Sequence, residues 1–262
     1  MPLTEFQKNL AQFLAKNRTP DSHLAGGAAL HFEPNSIRFS NDLDYFHDSV
    51  ERVATAFAAD YDDLVQHGYQ VDVDLKQVGY IRAKVFSKNG ATKVEWAHDS
   101  AWRFLPVVKN AELGFLLHPL DLAINKVLAL AGRNEPRDFL DVLHVHKHTL
   151  PLGALCWAAA GKDPGFSPHS LLDLVQRRGK FQKEDFNRLK LNQPIELTQL
   201  KSEWLQALQS AQEFIDSRPP DEMGCLYFYK DKQQAFAPQP NDSNYLTHFG
   251  RLNGVLPKLI IE

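Results

Sequence analysis

The spacing of apolar residues in the first half of the chain predicts helices and strands in alternation. Apolar positions recur every three or four residues over 3–14 and again over 50–67, as expected for two amphipathic helices. Asn89-Gly90 predicts a hairpin turn between the last two of the strands that follow, because Asn-Gly readily takes positive φ. We therefore expect an antiparallel meander. Its strand-like runs lie at 69–75, 79–87 and 92–98.

The second half of the chain is predicted to be mainly helical. Pro119 opens a strongly apolar helix that ends at Gly132, and Pro136 begins the next one. Further helices are expected at 152–160, 169–178, 183–191 and 197–215, followed by a hairpin of 225–229 with 233–236 and an irregular tail. The predicted class is α+β, with a domain at 1–150 that contains a mixed sheet with flanking helices and a mainly helical domain at 151–262.

An Asp-x-Asp pair in the first half suggests a metal site. Alternate residues of a strand share a face, so Asp42 and Asp44 would lie roughly 6.5 to 7 Å apart along the chain and could converge on one divalent ion. Gly26 and Gly27 precede them, and glycines let backbone N–H groups approach a bulky anion. Because magnesium prefers a few carboxylates completed by phosphate oxygens, the pattern suggests phosphoryl or nucleotidyl transfer.

The sequence contains its own comparison for this interpretation. Asp72 and Asp74 have the same spacing, but they alternate with valines and leucine and no glycine turn precedes them. We expect this second pair to face solvent on a half-buried strand.

Three more polar residues of the first half are candidates for the same site. Arg38 and Ser40 could reach phosphate or ribose oxygens, or could be a surface arginine and a turn-capping serine. Glu95 faces away from Val94 and Trp96, so it is either an exposed glutamate or, if its strand lies beside Asp42, a third carboxylate acting as metal ligand or general base.

A second polar cluster falls on the two helices that follow the meander. Lys126 sits in an apolar helix, where a lysine either extends to the surface or holds an anion. Asp138 and Asp141 share a helix face, with Arg133 and Arg137 just before them. This set is richer than a helix pair needs for packing, and we expect it to form a second half of the site.

Composition and charge limit the remaining possibilities. A net charge of −3 gives no electrostatic indication of nonspecific nucleic-acid binding. The compact basic run at 177–180 is either a solvated helix end, which is the usual case, or a contact for a polyanionic substrate. Cys156 and Cys225 have no ligand or disulfide spacing, and neither a signal peptide nor a membrane span is evident. We expect a cytoplasmic protein with no membrane partner. The alternating histidines at 144–148 are interpreted as a helix-end feature rather than a metal site.

In this order, the motifs GGAAL, RFSNDLDYF, KVE, an apolar helix with a lysine, and RNEPRDFLDV resemble the AbiEii/AbiGii-type nucleotidyltransferases, the toxins of abortive-infection and type IV toxin–antitoxin systems. The resemblance covers about residues 21–145. It implies a nucleotidyltransferase-like fold and a magnesium-dependent transferase that uses an NTP. The implied roles are Mg²⁺ ligation by Asp42 and Asp44, triphosphate binding by Gly26 and Gly27, phosphate binding by Lys126, an essential Asp138, a third acidic position at Glu95, and an Arg-Asp-x-x-Asp element of Arg133, Arg137, Asp138 and Asp141.

This chain departs from the family pattern at one position, and the resemblance does not identify the acceptor of the nucleotide. The family commonly has a hydroxyl residue after the two glycines, where this chain has Ala28, so that role is either lost or moved to Ser40. We expect a hydroxyl acceptor, with an RNA or tRNA 3′ end favoured, and a cognate antitoxin regulator encoded nearby. The alternatives are a protein or small-molecule acceptor, or a catalytically degenerate member that binds nucleotide or a partner.

Overall fold

The computed structural model describes residues 3–32 and 36–259. They form two compact units. The first unit comprises Met1–Ala101, Pro106–His118 and Lys190–Gln193; the second comprises Trp102–Leu105, Pro119–Leu189 and Pro194–Glu262. The predicted domain ranges 1–150 and 151–262 stay a prediction.

Helices and strands of both units are numbered here in chain order. The helices are α1 Glu5–Leu14, α2 Gly26–Leu30, α3 Val50–Gln66, α4 Pro119–Gly132, α5 Pro136–His148, α6 Leu152–Lys162, α7 Pro168–Arg178 and α8 Leu197–Asp216. The strands are β1 Ser22–Ala25, β2 Asp42–His47, β3 Gln70–Gln77, β4 Tyr80–Ser87, β5 Gly90–His98, β6 Trp102–Arg103, β7 Val108–Asn110, β8 Gly114–Leu116, β9 Leu226–Tyr229, β10 Tyr245–His248 and β11 Arg251–Leu252.

The first unit contains a mixed seven-stranded sheet with the order β3-β4-β5-β2-β1-β8-β7. β2 lies near its centre, parallel to β5 and antiparallel to β1, and β1 is also parallel to β8. The predicted meander is confirmed as antiparallel β3-β4-β5, with its turn at Gly90 at φ +147°. The strand that carries Asp42 and Asp44 is therefore paired on both edges.

Apolar side chains from α1, α3 and the sheet form the core of the first unit. Trp96 is fully buried, packs edge-on against Phe57, and donates its indole N–H to Asp60 at 2.7 Å. Asp60 in turn pairs with the buried Arg18. Since Val94 and Trp96 are both fully buried, Glu95 between them must point to the opposite face of β5.

The second unit is mainly helical, as predicted. α6 is buried along nearly its whole length, which accounts for its uniformly apolar sequence. Phe139 of α5 contacts three further aromatic rings of this unit, those of Phe181, Phe186 and Trp204. Two small sheets, β9-β10 and β6-β11, complete the unit. Among the described residues, none of the helices combines the length and the apolar character needed to cross a bilayer.

One predicted element of the second half is wrong and another is confirmed only in part. The helix expected at 183–191 is only a 3-10 turn at Lys183–Phe186, because the chain then pairs with the loop before β2: the N–H of Phe39 donates to the Lys190 carbonyl, and that of Asn192 to the Ile37 carbonyl, both at 2.9 Å. The longer ladder of β9 is with β10, and 233–236 adds a short antiparallel contact: Phe228 bridges Ala235, and the N–H of Phe236 donates to the Tyr227 carbonyl at 3.0 Å. Pro238 lacks the N–H that a longer ladder would need. The expected irregular tail therefore contains strands.

Candidate active site

Three carboxylates of the first unit converge across two neighbouring strands. β2 and β5 are parallel in a register that sets Asp44 beside Glu95, and Asp42 lies two residues earlier on the same face. One carboxylate oxygen from each of the three residues lies within 4.8 Å of the other two. Among the described residues, they are the one group of three potential metal ligands brought this close. The condition under which Glu95 could act as a third carboxylate, namely that its strand lies beside that of Asp42, is therefore met.

Gly26 brings the backbone against this cluster. It directly follows Ala25, the cross-strand partner of Asp44, and it has φ +60°, a conformation that favours glycine. A Cβ at this position would lie 2.0 Å from Asp44 Oδ2. Only a residue without a side chain fits there, which gives a physical reason for the first glycine of the pair.

Gly27 is packed against the two polar residues that precede β2. A Cβ here would lie 2.9 Å from Ser40 Oγ and 3.1 Å from Arg38 Nη2. Arg38 and Ser40 are both buried, at 3% and 4% exposure, so the interpretation of Arg38 as a surface arginine is wrong. The Ser40 hydroxyl donates to the Asp42 carbonyl at 3.0 Å, and Arg38 Nη1 donates to the Phe39 carbonyl at 2.9 Å. These bonds hold both side chains beside the glycine turn.

Lys93 is the residue of this cluster that sequence reasoning missed. Its ammonium lies 2.9 Å from Asp42 Oδ2 and 2.7 Å from Glu95 Oε1. Burial disfavours the charged form of Lys93, but the hydrogen bonds and negative charges of Glu95 and Asp42 outweigh it and raise the pKa of the lysine. The available signal was spacing, because Lys93 and Glu95 alternate on one strand and must share a face.

Tyr80 of β4 also belongs to the surroundings of Glu95. Its hydroxyl donates a hydrogen bond to the Glu95 carboxylate. Burial, followed by the charge and the hydrogen bond of Glu95, raises the pKa of Tyr80, so the phenol stays protonated as a donor.

The second polar cluster lies in the second unit. Lys126 of α4 is buried and its Nζ lies 2.8 Å from Asp141 Oδ2 and 4.0 Å from Asp138 Oδ1, both on α5. Arg133 binds Asp138 through two bonds, Nε to Oδ2 at 2.6 Å and Nη2 to Oδ1 at 3.1 Å. Arg137 lies half-buried in the first turn of α5. Lys126 therefore meets buried carboxylates rather than reaching the surface, and the expectation that both clusters serve one site stays a prediction.

The three alternating histidines of α5 do not form a metal site among the described residues. The rings of His144 and His148 contact each other at 4.7 Å, and His146 Nδ1 accepts a hydrogen bond from the Leu152 N–H at 3.0 Å. These contacts agree with their interpretation as a helix-end feature.

Two solved structures are similar to this chain. MenT4, a nucleotidyltransferase toxin from Mycobacterium tuberculosis H37Rv, superposes with a TM-score of 0.56 at 17% identity, covering 82% of this chain and 83% of its own. JHP933 from Helicobacter pylori gives a TM-score of 0.48 at 19% identity, covering 82% and 95%. No curated protein sequence matches the chain.

The likeness to MenT4 shows that the mixed sheet with its flanking helices is a nucleotidyltransferase fold. In sequence, the model of the nucleotidyl transferase AbiEii toxin family of type IV toxin–antitoxin systems matches residues 10–236, which includes every residue of both polar clusters. The chain therefore belongs to the AbiEii toxin family and is a nucleotidyltransferase.

Proposed function

We propose that the protein is a magnesium-dependent enzyme that transfers a nucleotide from an NTP to a hydroxyl acceptor, with an RNA or tRNA 3′ end favoured and growth inhibition as the outcome. The observation that carries this proposal is the convergence of Asp42, Asp44 and Glu95 beside the Gly26 turn. The free, buried cysteines Cys156 and Cys225 agree with action in a reducing cytoplasm.

The donor set suits magnesium. Mg²⁺ prefers oxygen ligands at about 2.0–2.1 Å, so ligands on opposite sides of the ion lie about 4.2 Å apart. The three carboxylate oxygens lie within 4.8 Å of one another, close to that spacing. The ammonium of Lys93, held by two of these carboxylates, shows that a cation is already accommodated here. Asp42 and Asp44 would hold the ion, which when bound would stabilise negative charge on the reacting phosphates.

Each remaining residue of the first cluster has a role that its position allows. The acceptor hydroxyl oxygen would form a new bond to the α-phosphorus while the bond from that phosphorus to the bridging oxygen of pyrophosphate breaks. Glu95 would either take the proton of the hydroxyl or serve as the third ligand. The backbone at Gly26 and Gly27 would bind the triphosphate. Arg38 would add positive charge beside Gly27, its guanidinium being 3.1 Å from the Cβ position of that glycine.

Ser40 is the candidate for the phosphate-binding hydroxyl that is absent at Ala28, and it would have to release its present hydrogen bond to donate to a phosphate oxygen. Its own proton is donated to the Asp42 carbonyl, so in this arrangement it can offer only its lone pairs to a ligand. Its support for the site is therefore mainly to fix the start of β2.

The family resemblance supplies the proposed roles in the second unit. Lys126 would bind a phosphate group, and Asp138 would be essential to activity. The bidentate bond from Arg133 and the contact of Lys126 with Asp141 show how buried carboxylates could orient both cations. Arg137 would contribute to nucleotide binding with them.

The acceptor is tested by labelling. Purified protein is incubated with Mg²⁺, each of the four labelled NTPs in turn, and total RNA, with EDTA and the Asp42→Asn, Asp44→Asn double variant as controls. We expect label in a discrete RNA band only with metal and the unmodified protein. Label in protein instead of RNA would contradict the RNA acceptor but keep the transferase.

The cognate antitoxin is a separate part of the proposal. The family is defined by type IV toxin–antitoxin systems. We expect co-expression of a neighbouring regulator gene to relieve growth inhibition without requiring a stable complex. Persistent inhibition on co-expression would contradict this part alone.

A further inference from the structure

The ammonium of Lys93 sits inside the carboxylate cluster. It contacts Asp42 Oδ2 at 2.9 Å and Glu95 Oε1 at 2.7 Å, so it neutralises part of the negative charge of the three acids. These distances are those of charge-assisted hydrogen bonds. The lysine side chain is 36% exposed, whereas that of Asp42 is 9% exposed, so the lysine is the partner with a route to solvent.

We propose that Lys93 is a built-in competing cation, which holds Asp42 and Glu95 together and must leave their oxygens when a divalent ion binds. Lys93 is thus a positioning residue that sets the metal affinity of the site. The inference rests on the metal site of the proposed function.

Simple electrostatics gives the direction of the effect. A divalent ion and an ammonium that share carboxylate oxygens repel each other, so occupation by one disfavours the other. Removing the lysine takes one positive charge away from Asp42 and Glu95, which makes the cluster more negative and strengthens its attraction for a cation. A lysine can be displaced by a divalent ion because its charge is compact and its four-carbon stem is flexible. The planar guanidinium of an arginine would bind the carboxylates through two hydrogen bonds and would be harder to displace.

Metal binding without nucleotide tests the proposal. Mn²⁺ is titrated into purified protein and the dissociation constant is measured by electron paramagnetic resonance and calorimetry. We expect Lys93→Met to bind Mn²⁺ about five- to tenfold more tightly than the unmodified protein. Lys93→Arg should bind at least about threefold more weakly, because it keeps the charge and the bidentate grip.

Lys84→Met is the matched control. Lys84 is the direct cross-strand neighbour of Lys93 and is exposed, and its ammonium lies over the Phe86 ring. Like Lys93→Met, the Lys84→Met variant removes one positive charge from the β4–β5 pair. Its Mn²⁺ affinity should stay within about twofold of that of the unmodified protein. Unchanged or weaker Mn²⁺ binding by Lys93→Met would overturn the proposal and indicate a merely structural lysine.

Two further measurements separate the possible failures. If Lys93→Met does not fold, Lys93→Arg decides alone, and binding equal to or tighter than that of the unmodified protein overturns the inference. The Asp42→Asn, Asp44→Asn double variant reports on the site itself: Mn²⁺ affinity that this variant does not reduce would overturn both the inference and the magnesium part of the proposed function. Wild-type binding that depends on Asp42 and Asp44 but not on Lys93 would overturn the inference only.

Discussion

Two strands of one sheet carry the same Asp-x-Asp pattern and meet opposite surroundings. β2, with Asp42 and Asp44, is paired on both edges, whereas β3, with Asp72 and Asp74, is the edge strand of the sheet. Asp42 is buried, while Asp72 and Asp74 are both exposed. The prediction that the second pair faces solvent is confirmed.

The neighbours of the two pairs explain the difference. Asp44 has Gly26 against its carboxylate and Glu95 beside it on the next strand. Asp74 forms an exposed ion pair with Arg82 at 3.6 Å. The two pairs thus have the same spacing in sequence, and the glycine turn and the third acid distinguish the candidate site from a solvated strand face.

Removing the third acid, Glu95, should cause the largest loss of nucleotide transfer. Glu95→Gln removes a carboxylate that the proposal uses as ligand or base, and we expect nucleotide transfer to fall by at least about 100-fold. Initial rates of label transfer measure this, with circular dichroism to confirm folding. Asp72→Asn is the control, and equal losses in the two variants would show that the cluster has no special role.

Filling the glycine turn should have the next largest effect. Gly26→Ala combines a positive φ with a Cβ 2.0 Å from Asp44 Oδ2, so we expect a loss of at least about 2 kcal/mol in unfolding free energy and a displaced Asp44. Gly68→Ala is the matched control, because Gly68 also has a positive φ, +80°, but has open space around its Cβ position. This variant should lose about 1 kcal/mol of unfolding free energy and keep its activity. Urea unfolding compares the two. Equal costs would contradict the proposed close approach.

The far end of β2 predicts a pH dependence of the unfolding free energy. Burial, with the nearby charges of Arg18 and Arg52, lowers the pKa of His47 to about 3. Because His47 is neutral in the folded protein and its unfolded pKa is about 6.5, its contribution to stability is complete above that pH and is lost as pH falls towards 3. We expect a loss of about 2 kcal/mol between pH 7 and pH 5 from this residue.

The variant His47→Gln should remove that part of the pH dependence. His98→Gln is the control, since His98 is the exposed cross-strand partner of His47. Chemical unfolding at pH 5 and pH 7 measures the difference. A pH slope unchanged by His47→Gln would contradict the assignment.

The smallest effect is expected on the edge strand. Asp74→Asn breaks only the exposed pair with Arg82, so the unfolding free energy should change by less than about 0.5 kcal/mol. A thermal scan checks this, and a larger loss would show that the edge strand depends on that pair.

Local pattern predicted most of the first unit. The apolar periodicity located α1 and α3, and the alternation of Val94, Glu95 and Trp96 gave the correct facing of the third acid. The short strands β1, β7 and β8 were missed, since runs of three or four residues carry little periodic signal. The 183–191 helix failed because pairing of 190–192 with 37–39 overrides local helix preference.

The residues of the candidate site could be predicted from the sequence, but the strand register and the ion pairs that join them could not. Spacing identified Asp42, Asp44 and Glu95, yet the parallel register that sets Glu95 beside Asp44 is long-range information. The spacing of Lys93 and Glu95 indicated a shared face, but the contact of Lys93 with Asp42 on the neighbouring strand is again long-range information. Lys126 was recognised as unusual, while its contact with Asp141 depends on how α4 and α5 pack.

The most direct test compares the two Asp-x-Asp pairs in one assay. Transfer of label from an NTP is measured for the Asp42→Asn, Asp44→Asn variant and for the Asp72→Asn, Asp74→Asn variant, both checked for folding. The proposed site predicts no detectable transfer by the first variant and the rate of the unmodified protein for the second. Transfer retained by a folded Asp42→Asn, Asp44→Asn protein would contradict the assignment of the active site.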